Sequence, residues 1–358
     1  MSLMRKIGVE EIARLANVSI GTVDRALHDR KEISESTRKR ILRIAKEHGY
    51  QPNLAARALS VGKPAIRIGV CIPREIHYFY DQIRDGFLSE ARRFEQLGVE
   101  IVYRPIDRLG GGEVAGMKEL LARKLQVVAV CPGDPVSLTP LINLAEQQEN
   151  VRVICVASDA PESARSTVVC VNPAISGHMA AELMTKFLRP KSDVAILTGM
   201  FLTEDHRKKV QAFAEMFQRL SPGGRLLEVL EGHDDEDETF QKVYTLLGRH
   251  KTLKGLYVST ANCLPVCHAI GARGLHGKVK LITTDLFQAM VPYLEKGTIL
   301  ASIHQRPYVQ GQVAVRLMVD HFANGRPIPP SYYLTPHIVL RSNLHLFREI
   351  RREEFPER

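Results

Sequence analysis

Apolar positions recur at two different spacings along the chain, and the change falls near residue 62. In the first part, Val9, Ile12, Ala13 and Ala16 lie at helical spacing. Asn17-Val18 interrupts them, and Ser19, a good N-cap residue, opens a second helix, IGTVDRAL, with Val23, Ala26 and Leu27 on one face. A third helix starts at Ser34 and carries Ile41, Leu42, Ile44 and Ala45 to a stop at Gly49. Pro52-Asn53 then introduces LAARALS, a fourth short amphipathic segment, and Gly62-Lys63-Pro64 reads as a linker.

Beyond the linker, apolar strands at 66–73, 99–106, 127–134, 151–158 and 166–173 alternate with amphipathic helices at 79–97, 113–124 and 137–148. The rhythm then repeats. Helices at 175–188, 204–220, 237–249, 264–273, 287–296 and 308–323 enclose strands at 193–200, 225–232, 255–260, 279–285 and 299–305. Nearly continuous apolar strands of this kind predict parallel sheets covered on both faces, here in two doubly wound subdomains.

Composition narrows the class. With 358 residues, 44% of them apolar, the chain holds two or three compact units and is not disordered. No apolar run approaches the ~18 residues that span a bilayer and no signal-peptide pattern opens the chain, so a soluble cytoplasmic protein without membrane contact is expected. Six cysteines sit mostly within strand-like runs and form no CxxC pair, so they read as small buried hydrophobes; neither a metal site nor a cofactor is expected. Trp is absent and aromatics make up only 6%, a poor stacking surface for single-stranded nucleic acid. Of the net charge of +9, residues 1–63 carry +6. A small basic module joined to a nearly neutral body implies polyanion binding by the first part and another task for the second.

A helix-turn-helix needs a small residue where two helices cross, a left-handed residue in the turn and an apolar anchor on the second helix. Ala13, Asn17 and Val23 supply all three. The stretch VEEIARLANVSIGTVDRALHDRKEISESTRKRILRIAKEHGYQPNLAARALS resembles the headpiece and hinge of the lactose/galactose repressor (LacI/GalR) family over about 54 residues. The resemblance implies that Ile20, Gly21 and Arg25 face base edges, with Arg25 able to bond a guanine bidentately. It implies that Ser19, Thr22 and Asn53 serve the DNA backbone, and that Ala56 and Leu59 belong to a hinge helix whose leucine enters the minor groove. Asp24 stands where a small hydroxyl residue is common in the family, so the operator is not transferable from a relative.

Ligands of open parallel α/β folds bind beyond the carboxyl ends of the strands. Those positions hold His77-Tyr78-Phe79-Tyr80, Asp134, Glu204 to Lys209, Asn262, Asp285 and Gln305. Carboxylates and amides over aromatic faces suit a neutral polyol. The large portion resembles the family's effector module, which shares its fold with periplasmic sugar-binding proteins. By that resemblance Phe79, Tyr80, Asp134, Asn262, Asp285 and Gln305 contact the effector, a monosaccharide or derivative, and Lys209 replaces a sugar-clamping Arg. Two roles stay open for several of these: Asp285 and Asn262 as caps of the following helices, Phe79 and Tyr80 as core. His206 and Lys208 read as solvated first-turn residues, His304 as a rim contact, and His233-Asp234-Asp235 as a solvated acidic loop.

The expected architecture is therefore an all-α headpiece (1–51), a hinge helix and linker (52–65), and a two-subdomain α/β body of the periplasmic-binding-protein type (66–344). The first subdomain takes in about 66–172 and 308–330, the second about 173–305 and 331–344, and a charged tail (345–358) follows. The function this implies is an effector-controlled transcriptional repressor that binds a palindromic double-stranded operator as a homodimer. A sugar-binding transport protein is the nearest rival, and the basic first 60 residues argue against it. A nucleotide-dependent enzyme is less supported: Gly110, Gly112 and Gly116 are spaced one residue too long for a dinucleotide fingerprint, and neither GxxxxGK[ST] nor GxSxG occurs.

Overall fold

The computed structural model describes residues 9–27, 33–48 and 66–347. The chain separates into two compact units, divided between Pro64 and Ala65.

The first unit contains helices α1 (Val9–Ala16), α2 (Ile20–Leu27) and α3 (Glu35–Glu47). Ile12, Ala13, Ala16, Val23, Ala26, Ile41 and Ala45 meet in one core, so α1 and α2 bury the stripes their periodicity marked, whereas Leu42, expected on the stripe of α3, is exposed. Asn17 takes the left-handed conformation (φ 49°) that the turn requires, and Val18 N–H donates to the Ala13 carbonyl to close it. Ser19 caps α2, its Oγ accepting from Thr22 N–H at 3.2 Å. Ser34 Oγ does the same for α3 through Thr37 N–H at 3.3 Å.

The second unit contains two six-stranded sheets. The first half of the unit runs β1 (Arg67–Cys71), α4 (His77–Arg93), β2 (Glu100–Tyr103), α5 (Glu113–Leu121), β3 (Val127–Val130), α6 (Pro135–Gln147), β4 (Arg152–Val156) and β5 (Thr167–Val171). The second half runs α7 (Pro173–Phe187), β6 (Asp193–Thr198), α8 (Glu204–Leu220), β7 (Arg225–Glu231), α9 (Glu236–Arg249), β8 (Leu253–Val258), α10 (Leu264–Ala272), β9 (Lys280–Thr284), α11 (Val291–Glu295) and β10 (Ile299–His304). Helix α12 (Pro307–Asn324) and strands β11 (Ser331–Leu334) and β12 (His337–Val339) complete it.

The strand orders are β11-β5-β4-β3-β1-β2 and β12-β10-β9-β8-β6-β7, the same winding twice. Each order reverses once, between β1 and β3 in one lobe and between β6 and β8 in the other, and such a reversal leaves a crevice at the strands' carboxyl ends. Among the described residues, the pairings between these strands are parallel except that of β10 with β12. Helices pack closely where glycines remove the side chain: a Cβ on Gly311 of α12 would lie 2.2 Å from the Ile83 carbonyl of α4, and one on Gly177 of α7 would lie 2.4 Å from the Lys209 carbonyl of α8.

Three expectations are corrected. Residues 331–334 join the first sheet, not the second, because Pro336 breaks the run SYYLTPHIV into two strands that enter different lobes. The helix expected at 287–296 is a 3-10 turn (Gln288–Met290) followed by the short α11, which begins around Pro292. The charged tail is anchored at Phe347, whose ring meets those of His304 and His337, although His345 and Leu346 before it are exposed. Pro52-Asn53 and the predicted hinge segment lie outside the described residues.

Candidate functional site

Two regions carry the predicted chemistry. In the first unit, Val23 and Ala26 face the core, which turns Gly21 and Arg25 outward with the exposed Ile20 beside them. A Cβ on Gly21 would meet only Ser19 Oγ, at 3.9 Å, so the face is flat and open there. Ser19 and Thr22 hydroxyls lie 2.9 Å apart and belong to the cap of α2. This is an exposed helix face bearing one guanidinium. Asn53, Ala56 and Leu59 fall outside the described residues.

In the second unit, a pocket lies between the lobes where both sheets reverse order. The first lobe contributes Ile76, Phe79 and Tyr80 from the start of α4, Leu109, Cys131 after β3, and Ala157-Ser158 after β4. The second contributes Thr203, Asp205, His206 and Lys209 from the start of α8, Asp234, Ser259 to Ala261 after β8, Asp285 after β9 and Gln305 after β10. The lobes touch across it: Thr203 Oγ1 donates to the Gly133 carbonyl at 2.9 Å, and the Tyr78 ring stacks on Phe287 at 3.9 Å.

The centre of the second lobe's wall is one buried network. Asp205 and Lys209, one turn apart on α8, pair at 2.7 Å (Lys209 Nζ to Asp205 Oδ2). Lys209 Nζ also donates to Gln305 Oε1 at 2.7 Å, and Gln305 Nε2 donates to Asp285 Oδ2 at 2.8 Å. Asp285 is left-handed (φ 71°), which lets its other oxygen accept from Gln305 N–H at 3.2 Å. Burial pulls against the Lys209 ammonium, but the charges of Asp205 and Asp285 and the Asp205 bond outweigh it, so the proton is held more firmly than usual. Burial raises the Asp285 carboxyl above its ordinary range, only partly offset by His304, Lys209 and Gln305. Burial also lowers His206 below its usual value despite Asp234 and Asp205, and its Nδ1 accepts from Met200 N–H at 3.0 Å.

Phe79, Tyr80, Lys209, Asp285 and Gln305 are thus brought together as expected residue by residue. Asp134 and Asn262 are not. Asp134 caps α6, accepting from Val136 N–H and Ser137 N–H at 3.1 Å each, a role its Asp-Pro context favours. Asn262 Nδ2 donates behind the wall, at 3.2 Å to both the Asp235 carbonyl and Thr239 Oγ1. His206 is buried in the lining, not solvated, and so is Asp234, carried inward by the consecutive left-handed residues His233 and Asp234 (φ 49° and 54°). His304 is buried but lies outside the cavity lining. Asp205 lies in the strand-end stretch Glu204 to Lys209 but was not singled out, although its spacing of four from Lys209 marks one helix face.

Comparison with known proteins places these features in context. Residues 9–53 match the family described as bacterial regulatory proteins, lacI family, and residues 68–327 match the periplasmic binding protein domain. Catabolite control protein A of Priestia megaterium is 23% identical over 342 residues, covering 92% of this chain and 97% of that protein. The sucrose operon repressor of Klebsiella pneumoniae is 31% identical over 136 residues, 36% of this chain and 38% of its own length. Among solved structures, a solute-binding protein of Burkholderia graminis in complex with D-arabinose superposes with TM-score 0.74 at 24% identity, over 80% of this chain and 99% of that one. Another, from Bacillus halodurans with bound myo-inositol, gives 0.72 at 17% identity over 80% and 98%. Both likenesses concern the fold.

Proposed function

The chain belongs to the lacI family of bacterial regulatory proteins, with a periplasmic binding protein domain as its body, and from that premise we propose how this transcriptional repressor is controlled. A sugar-like effector occupies the cavity between the lobes, held by Phe79, Tyr80, Lys209, Asp285 and Gln305 and by Asp205, His206 and Asp234. The observation that carries this is the placement of the cavity at both sheet reversals, lined by buried polar residues from both lobes. The chain acts in the cytoplasm as a homodimer, which presents two copies of the α2 face to adjacent half-sites of a palindromic operator. Among the described residues, no helix is long and apolar enough to cross a membrane.

Effector and operator are coupled through the lobes. Three segments join the lobes, between β5 and α7, between β10 and α12, and between β11 and β12. A ligand that favours one arrangement of these segments alters DNA affinity by the factor by which DNA alters ligand affinity. The test is fluorescence anisotropy of the full chain on randomised palindromic DNA, with and without monosaccharides. Salt-dependent, sequence-selective binding whose affinity shifts with a sugar is expected. Sugar binding without attachment to any duplex would favour the transport-type reading, and attachment indifferent to every sugar would remove the cavity's assigned role.

A further inference from the structure

The cavity wall holds more acid than its internal pairing uses. Asp205 and Asp234 are each more than nine-tenths buried and line the cavity. Each keeps one oxygen, Oδ1, without a hydrogen-bond partner among the described residues. Ser158 Oγ, from the opposite lobe, is in the same condition. Buried polar atoms are normally paired, so unpaired ones on residues that line a cavity mark where a ligand's donors dock.

The positive side of the wall is already engaged. Lys209 is the only Lys or Arg in the lining among the described residues, and its ammonium is shared between Asp205 Oδ2 and Gln305 Oε1 at 2.7 Å each. His206 is buried in the lining, its Nδ1 occupied by Met200 N–H, and burial disfavours its charged form. The wall therefore offers acceptors and little cationic capacity.

We infer that Asp205 and Asp234 act as a charge filter, so that the effector is a polyhydroxylated molecule without negative charge, and sugar acids and sugar phosphates are turned away. Hydroxyl groups donate to the two free carboxylate oxygens. An anionic group would face both carboxylates in a poorly screened space, where like charges repel strongly. This rests on the sugar-binding reading of the cavity given above.

The test titrates the full chain, by thermal shift and calorimetry, with pentoses, hexoses and inositols, each beside its anionic counterpart. The pairs include D-glucose with D-glucuronate, D-galactose with D-galacturonate and D-ribose with D-ribose 5-phosphate. A neutral member raises apparent stability, and its anionic counterpart binds about 100-fold more weakly. Asp234→Asn weakens the neutral sugar and narrows that gap, a change that loss of folding would not produce. An anion that binds as tightly as its neutral counterpart overturns the filter and leaves sugar binding intact. A series in which no neutral or anionic member binds overturns the sugar-binding reading, and the filter with it.

Discussion

Lys209 is 1% exposed and makes two polar contacts at 2.7 Å within the cavity wall, so replacing it should cost stability even with no ligand present. In Lys209→Met the chain length is nearly kept and the charge is lost. Asp205 Oδ2 then loses its partner at 2.7 Å while its Oδ1 already has none, and Gln305 Oε1 loses its donor. Stranding a buried charge by removing its partner costs about 3–5 kcal/mol. At roughly 2 °C per kcal/mol for a body of this size, the melting temperature should fall by about 6–10 °C. With no Trp in the chain, circular dichroism or calorimetry is the suitable readout. Adding Asp205→Asn should recover part of the loss, because the carboxylate that needed the ammonium is gone. A Lys209→Met variant that melts with the wild type would refute the reasoning, since it would mean the pair's desolvation cancels its attraction.

His206 supplies a pH test. Its folded proton affinity is lowered by burial, so between that value and about 6.5 the unfolded chain binds a proton that the folded chain does not. Stability contributed by neutral His206 is present above about 6.5 and is lost as pH falls through that window. Asn at this position can still accept from Met200 N–H, so His206→Asn should lose less melting temperature between about pH 7 and 5.5 than the wild type; equal losses would remove His206 as the cause. On the DNA side, Arg25→Ala should cost ~1–3 kcal/mol at one base pair and relax preference there, which selection from a randomised site measures. In the first lobe, Gly311→Ala places a methyl 2.2 Å from the Ile83 carbonyl and 2.7 Å from the Phe87 nitrogen, both backbone atoms. Overpacking typically costs about 1–3 kcal/mol, and unyielding backbone puts this case at or above the top of that range. A urea midpoint equal to that of the wild type would show that the two helices separate freely.

Residues with purely local tasks were read correctly from the chain. The left-handed turn at Asn17, the cap at Ser19, the apolar stripes of α1 and α2 and most of the strand-helix alternation depend on neighbours within a few positions. The cavity was legible in part. Phe79, Tyr80, Lys209, Asp285 and Gln305 could be found because strand ends in this fold converge on a crevice. The same rule overreached at Asp134, since a strand's end is also a helix's beginning and a cap needs the same oxygen as a ligand does.

By itself, then, the amino-acid order determined element types, turn chemistry, the two-part organisation and the uneven charge, because each follows from short-range sterics, periodicity or composition. Tertiary structure alone decided that Asp234 turns inward, that the Asn262 amide nitrogen is anchored to Asp235 and Thr239, that Pro336 sends two adjacent strands into different lobes, and that Asp205 retains an unpaired oxygen. Those outcomes depend on which distant segments meet and what hydrogen-bonding capacity is left over when they do, a remainder that no local pattern records.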